Sequence, residues 1–179
     1  MKRWIYMLLI ALTAVQCHID SRREYMIQVH NKPLKIRLVD EEKFYGLYCY
    51  EADSLTSTWP LPFPVYQFQT GDIDGDGNED IVVGAIKTTR MDSVIRKRIF
   101  LFQVRNRKII PLWMGSSLAH PLEDFKVVPT DSVTLVRSIE KEPMGQFLVA
   151  EYQWYGFGLS FNRYLSRNIS LSEAYRQLE

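Results

Sequence analysis

Histidine and cysteine are scarce in this chain: three and two respectively among 179 residues. His18, His30 and His120 stand far apart, and none has a metal-ligand neighbour at a familiar spacing. No G-x-S-x-G, H-E-x-x-H, C-x-x-C or phosphate-cradling glycine loop occurs, so the common nucleophile, zinc and nucleotide signatures are missing. An excess of one charge is missing too. The 22 Lys and Arg balance 21 Asp and Glu for a net +1, which leaves no electrostatic footprint for nucleic acid. The densest basic spot, "RKRIF" at Arg96 to Phe100, reads as a solvated turn or strand edge. Long apolar runs are also lacking. The longest, Trp4 to Val15, has 12 residues, against the ~20 a membrane-crossing helix needs.

That run follows Lys2 and Arg3 and ends beside Cys17, the layout of a secretory signal. The segment resembles a bacterial lipoprotein signal, in which the cysteine becomes the acylated first residue of the mature chain. Gln16 stands where the usual lipobox carries Gly, Ala or Ser, and cleavage by an ordinary signal peptidase near Ala14 is the alternative. The resemblance implies a signal peptide over 1–16, a lipidated tether over 17–24 and a protein held at a membrane of the bacterial cell envelope, with the outer membrane expected. Loss of Lys2 and Arg3 leaves 163 residues with net charge −1, so acyl chains and not a basic surface would hold it there. Cys49 is then the one remaining thiol. Among the aromatics of "YGLYCYEA" it reads as a small buried hydrophobe.

Beyond the tether, period-two alternation marks strands. "MIQVH", "LKIRLVD" and "FYGLYCY" come first, followed by "STWPLPFPV", whose Pro60, Pro62 and Pro64 read as a stiff connector. "VYQFQTG", "EDIVVGAIKT", "RIFLFQV" and "RNRKIIPLW" form a second group. From Asp124 the rhythm repeats in "EDFKVVPTD", "SVTLVRSIE", "GQFLVAEYQWY" and "GLSFNRYL". The expected fold is all-β over 25–179, with antiparallel, propeller-like blades, about three of them, and a short closing helix over 170–178. That helix carries a capping box, Ser170 and Glu173, with Leu171, Ala174, Tyr175 and Leu178 on one face. Closed propellers have about four to eight blades. This chain therefore forms an open arc, closes with a partner through oligomerisation, or packs as a smaller sandwich.

One turn is strongly acidic. In "DIDGDGNED", Asp72, Asp74, Asp76, Asn78 and Asp80 fall at loop positions 1, 3, 5, 7 and 9. Gly75 and Gly77 permit tight folding. Oxygen ligands at this spacing suit a hard cation taking about six to eight oxygens, which favours calcium. Position 7 usually offers its backbone carbonyl, so the Asn78 side chain is not required, and Glu79 is expected to face solvent. An EF-hand is excluded: position 12 is Val83, and "DIVVGA" is a strand sequence. The bland alternative is a solvated acidic hairpin without an ion.

The stretch "FQTGDIDGDGNEDIVVGA", Phe68 to Ala85, resembles the FG-GAP or VCBS-type repeat. That resemblance implies a propeller blade whose turn is clipped by calcium, with Asp72, Asp74, Asp76, Asn78 and Asp80 as the ligand loop. The corresponding turn of the next unit, "VVPTDSVTL", keeps only Asp131 and no glycine, so one structural calcium is expected.

Function then divides between classes. A non-catalytic interaction or scaffold module fits the absence of catalytic motifs. A glycan-binding or glycan-processing surface protein is the alternative, using exposed aromatics, with Tyr155 and Phe157 as the ligand-contact candidates. Leu148, Ala150, Tyr152 and Trp154 share one strand face and read as core. Paired carboxylates for glycoside cleavage stay open at Glu140, Glu142 and Glu151, because any of them could meet a partner across the fold.

Overall fold

The computed structural model describes residues 23–90, 92–115 and 117–178. The expected signal peptide, Cys17 and the expected tether up to residue 22 lie outside the described residues. Twelve antiparallel strands and one helix follow. The first sheet holds β1 (Glu24–Val29), β2 (Lys32–Asp40), β3 (Tyr45–Glu51) and β4 (Ser54–Leu61). The second holds β5 (Val65–Gly71), β6 (Asp80–Lys87), β7 (Arg96–Arg105) and β8 (Lys108–Met114). The third holds β9 (Leu122–Pro129), β10 (Thr134–Lys141), β11 (Phe147–Trp154) and β12 (Leu159–Ile169). Each sheet is a simple meander in chain order. The helix α1 (Leu171–Leu178) closes the chain.

The three sheets stack face to face, and alternation decides which core each residue enters. In β6 and β7, Ile81, Val83, Phe100 and Phe102 point into a core shared with the first sheet. Their neighbours Val82, Ile99 and Leu101 enter a second core shared with the third sheet. The middle sheet is thus buried on both faces, which is why "DIVVGA" is a continuous apolar run and not an alternating one. At roughly 1.5–3 kcal/mol per fully buried large side chain, these two cores dominate the stability. The first sheet alternates cleanly: Ile27, Ile36 and Leu47 are fully buried, while Met26, Gln28 and Arg37 are exposed on the other face.

On the third sheet the far face is covered. Ile139 and Val149 pack against Ala174 and Leu178 of α1. The expected capping box is present: Ser170 N–H donates to Glu173 Oε2 at 2.9 Å, and Glu173 N–H to Ser170 Oγ at 3.3 Å. Leucine and alanine positions one helical turn apart thereby face the sheet.

β1, β5 and β9 lie side by side and run in the same direction. Tyr25 Oη donates to Phe68 O at 3.2 Å, and the side chain of Gln69 accepts from Val127 N–H at 2.9 Å. The Gln67 side-chain amide is also committed across this seam, its Nε2 donating to Asp124 Oδ1 at 2.6 Å and Phe125 O at 2.9 Å.

Three expectations are corrected. The proline stretch is not all connector: Trp59 and Pro60 belong to β4. β4 is an edge strand, where a missing N–H on the unpaired side is tolerated, so the connector shrinks to 62–64. Glu24, placed at the end of the expected 17–24 tether, belongs to the fold, pairing with Arg37 in the β1–β2 ladder. "RKRIF" is not an edge, because β7 is an inner strand, and only Arg96 and Lys97 of it keep solvent contact. Arg98 is only 4% exposed; its guanidinium donates to Asp92 Oδ2 at 2.6 Å and Ser117 Oγ at 3.1 Å.

Candidate metal centre

The acidic loop leaves β5 at Gly71 and returns at Asp80, its partner across the ladder. Gly75 and Gly77 take φ of 75° and 84°, the left-handed region where a glycine carries no steric cost. The aspartates organise the turn through backbone donors. Asp72 accepts from Gly75 N–H at 2.9 Å and Gly77 N–H at 3.0 Å. Asp80 Oδ2 accepts from Ile73 N–H at 3.0 Å.

Of the four expected carboxylate ligands, the fold brings three together. Asp72, Asp74 and Asp80 each offer a carboxylate oxygen, all within 4.8 Å of one another. Asp76 instead accepts from the N–H and Nδ2 of Asn78 at 2.8 and 2.9 Å. The Asn78 side-chain oxygen accepts from His30 N–H at 2.6 Å. Asp80 is almost wholly buried, at 2% exposure. Burial, reinforced by the carboxylates of Asp74 and Asp76, pushes it up to about 8. Burial first, then Asp76 and Asp72, also raises Asp74. A cation among these oxygens would favour their charged forms and reverse that logic.

The loop touches all three sheets. Ile73, at 3% exposure, enters the core between the second and third sheets with Phe125 and Val127. On its other side Glu79 meets the first sheet: its N–H donates to Gln28 O at 2.9 Å, and its Oε2 accepts from Gln28 N–H at 2.7 Å. Glu79 is half-buried, so it faces solvent only in part and is not free of the protein as expected. Nothing in the local spacing announces this contact, because Gln28 lies 51 residues away.

The three glutamates left open as catalytic candidates are each engaged by protein partners. Glu151 is 1% exposed and bridges Arg163 at 2.8 Å and Arg137 at 2.9 Å. Glu142 accepts from Arg167 and from Asn168 N–H at 2.8 Å. The Asn168 N–H, then the Arg167 guanidinium, holds Glu142 below the usual carboxylate range. Glu140 is fully buried and accepts from Ser138 Oγ at 2.7 Å and His120 N–H at 2.6 Å. Opposed charges link Glu151 to Arg163 and Arg137 and Glu142 to Arg167, whereas Glu140 is held by neutral donors.

Tyr155 and Phe157 sit at the tip of the β11–β12 hairpin, 78% and 89% exposed. Leu148, Ala150 and Tyr152 are buried, as expected of a core face, and Trp154 packs partly against the same core. Cys49 is fully buried.

No family model, curated protein or solved structure matches this chain. Among the described residues no helix is long and apolar enough to cross a membrane.

Proposed function

We propose that this protein is a non-catalytic, lipid-anchored interaction module of the bacterial envelope, built as an open arc of three propeller-like blades and stabilised by one calcium ion. The observation that carries the calcium reading is the position of the acidic loop. Its carboxylate triad sits between Ile73, inserted into one inter-sheet core, and Glu79, bonded to the first sheet. A cation drawing Asp72, Asp74 and Asp80 together would tighten a turn that touches all three sheets. Its binding energy would thus add to folding energy.

The open arc is supported by α1, which covers Ile139 and Val149, the face a fourth blade would need. The apolar run ending at Cys17 supports the anchor. The test is calorimetric titration with calcium, paired with thermal melts in calcium and in chelator. Heat of binding at millimolar calcium together with a raised Tm supports a structural ion. No heat and an unchanged Tm would leave the loop merely acidic.

One observation favours a second reading. Tyr155 and Phe157 present two rings almost fully to water, and such rings stack on sugar faces. Binding of oligosaccharides that is lost in Tyr155→Ala would make this a glycan-binding surface protein.

A further inference from the structure

The strand directions sort the connections into two ends. The β1–β2, β5–β6 and β11–β12 turns share one end, with the acidic loop and the Tyr155–Phe157 hairpin. The chain enters at the other. There Arg23 lies over the Tyr45 ring, 5.5 Å from its centroid. Lys87 lies over the Phe63 ring at 4.6 Å, and Lys97 and Lys141 both reach Glu123, at 2.6 and 2.7 Å. These contacts bring the β2–β3, β6–β7 and β10–β11 connections of the three sheets to one end.

Each of those connections carries exposed apolar side chains. Phe44 is 36% exposed, Val94 49%, Ile95 70% and Met144 99%. None of them belongs to the buried cores, so the fold supplies no reason for them to be apolar. Exposed Lys43 and Arg90 lie in the same connections. Exposed Glu42 offsets that charge, so it is the apolar tips and not a basic surface that suit the boundary between lipid headgroups and acyl chains.

The covalent chain limits what can cover this end. Six residues, His18 to Arg23, separate Cys17 from Glu24, a reach of roughly 25 Å at most. We infer that the chain-entry end rests on the lipid surface, with Phe44, Val94, Ile95 and Met144 in contact with the bilayer. This rests on the lipid-anchor reading and adds an orientation to it. The acidic loop and the aromatic hairpin then face away from the membrane. A seven-residue strand such as β5, at ~3.3 Å per residue, sets them about 20–25 Å further out.

The experiment uses the full chain with one added cysteine, Ile95→Cys or Phe157→Cys, each carrying an environment-sensitive fluorophore. Native Cys49 is buried and does not compete, and in the unacylated arm Cys17 is replaced by serine. The proteins are reconstituted into phosphatidylethanolamine–phosphatidylglycerol vesicles whose acyl chains are brominated. The expected result is quenching at position 95 several-fold stronger than at 157. Equal quenching, or stronger quenching at 157, overturns the orientation. Mass spectrometry of the same material reports acylation of Cys17 independently. If acyl chains are absent, the anchor reading fails, and the unacylated protein is added to the same vesicles. Quenching confined to position 95 then still supports the contact, and none at either position overturns it. An Ile95→Ser, Met144→Ser double variant should lower vesicle association of that unacylated protein several-fold, whereas Phe157→Ser should leave it unchanged.

Discussion

Glu79 and Gln28 form a reciprocal pair: the backbone N–H of Glu79 donates to Gln28 O, and the Gln28 N–H donates to the Glu79 carboxylate at 2.7 Å. This joins the end of the acidic loop to β1. Glu79→Ala should cost about 1 kcal/mol, the range for a partly solvated hydrogen bond to a charged group. The rise in Tm on adding calcium should persist. Denaturant midpoints with and without calcium check both halves, and loss of the calcium effect would mean that Glu79 serves the ion directly.

Asp74 should show opposite effects in the two conditions. Its charge raises Asp80, so Asp74→Ala relieves repulsion and should leave the calcium-free protein as stable as wild type or more so. With calcium, the wild type gains RT ln(1 + [L]/Kd), about 2.7 kcal/mol at ~100 times Kd. The variant should lose that gain. Loops of extracellular type bind with Kd up to ~10⁻³ M, so melts need calcium at several concentrations into the millimolar range.

Glu151 offers a pH test remote from the loop. Burial alone would raise it, but hydrogen bonds from Arg163 and Arg137 outweigh burial and hold it below its ordinary value of 4.5. A depressed carboxylate contributes stability that is present above the unfolded pKa and is lost as pH falls through the folded one. Glu151→Gln should therefore be less stable than wild type at pH 7, by about 2 kcal/mol. That is below the cost of breaking a fully buried pair, because both arginines retain solvent contact. The gap should narrow below about pH 4 as the wild-type carboxylate gains its proton. A gap constant from pH 7 to pH 3, measured by urea denaturation, would show that the charge is not what Glu151 contributes.

Cys49 should react slowly with thiol reagents in the folded protein. Burial, chiefly, raises its thiol above its ordinary value, which lowers the reactive thiolate fraction. Labelling should accelerate by orders of magnitude in denaturant. Fast labelling without denaturant would mean that β3 opens readily.

Much of this architecture is carried by local pattern. Alternation in "LKIRLVD" decides which face of β2 is buried, and the unbroken apolar run of β6 signals burial on both faces. The Ser170–Glu173 box starts the closing helix where a reader of the sequence would start it. The acidic loop is equally plain, since alternate aspartates separated by glycines have few other uses. All these features depend on residues within about ten positions of each other. What only the tertiary structure decided depends on residues much further apart. Asp76 bonds to Asn78, and Asn78 to His30 across 48 residues, while three of the four loop carboxylates expected as ligands converge. Glu79 meets Gln28 across 51 residues, and Arg98 is buried because Asp92 and Ser117 reach it from two different connections. Pro60 keeps its strand because β4 is an edge. Local spacing sets the direction of a side chain, but its partner and its access to water are set by which strand is packed alongside. That packing is the collective outcome of burying three sheets at once.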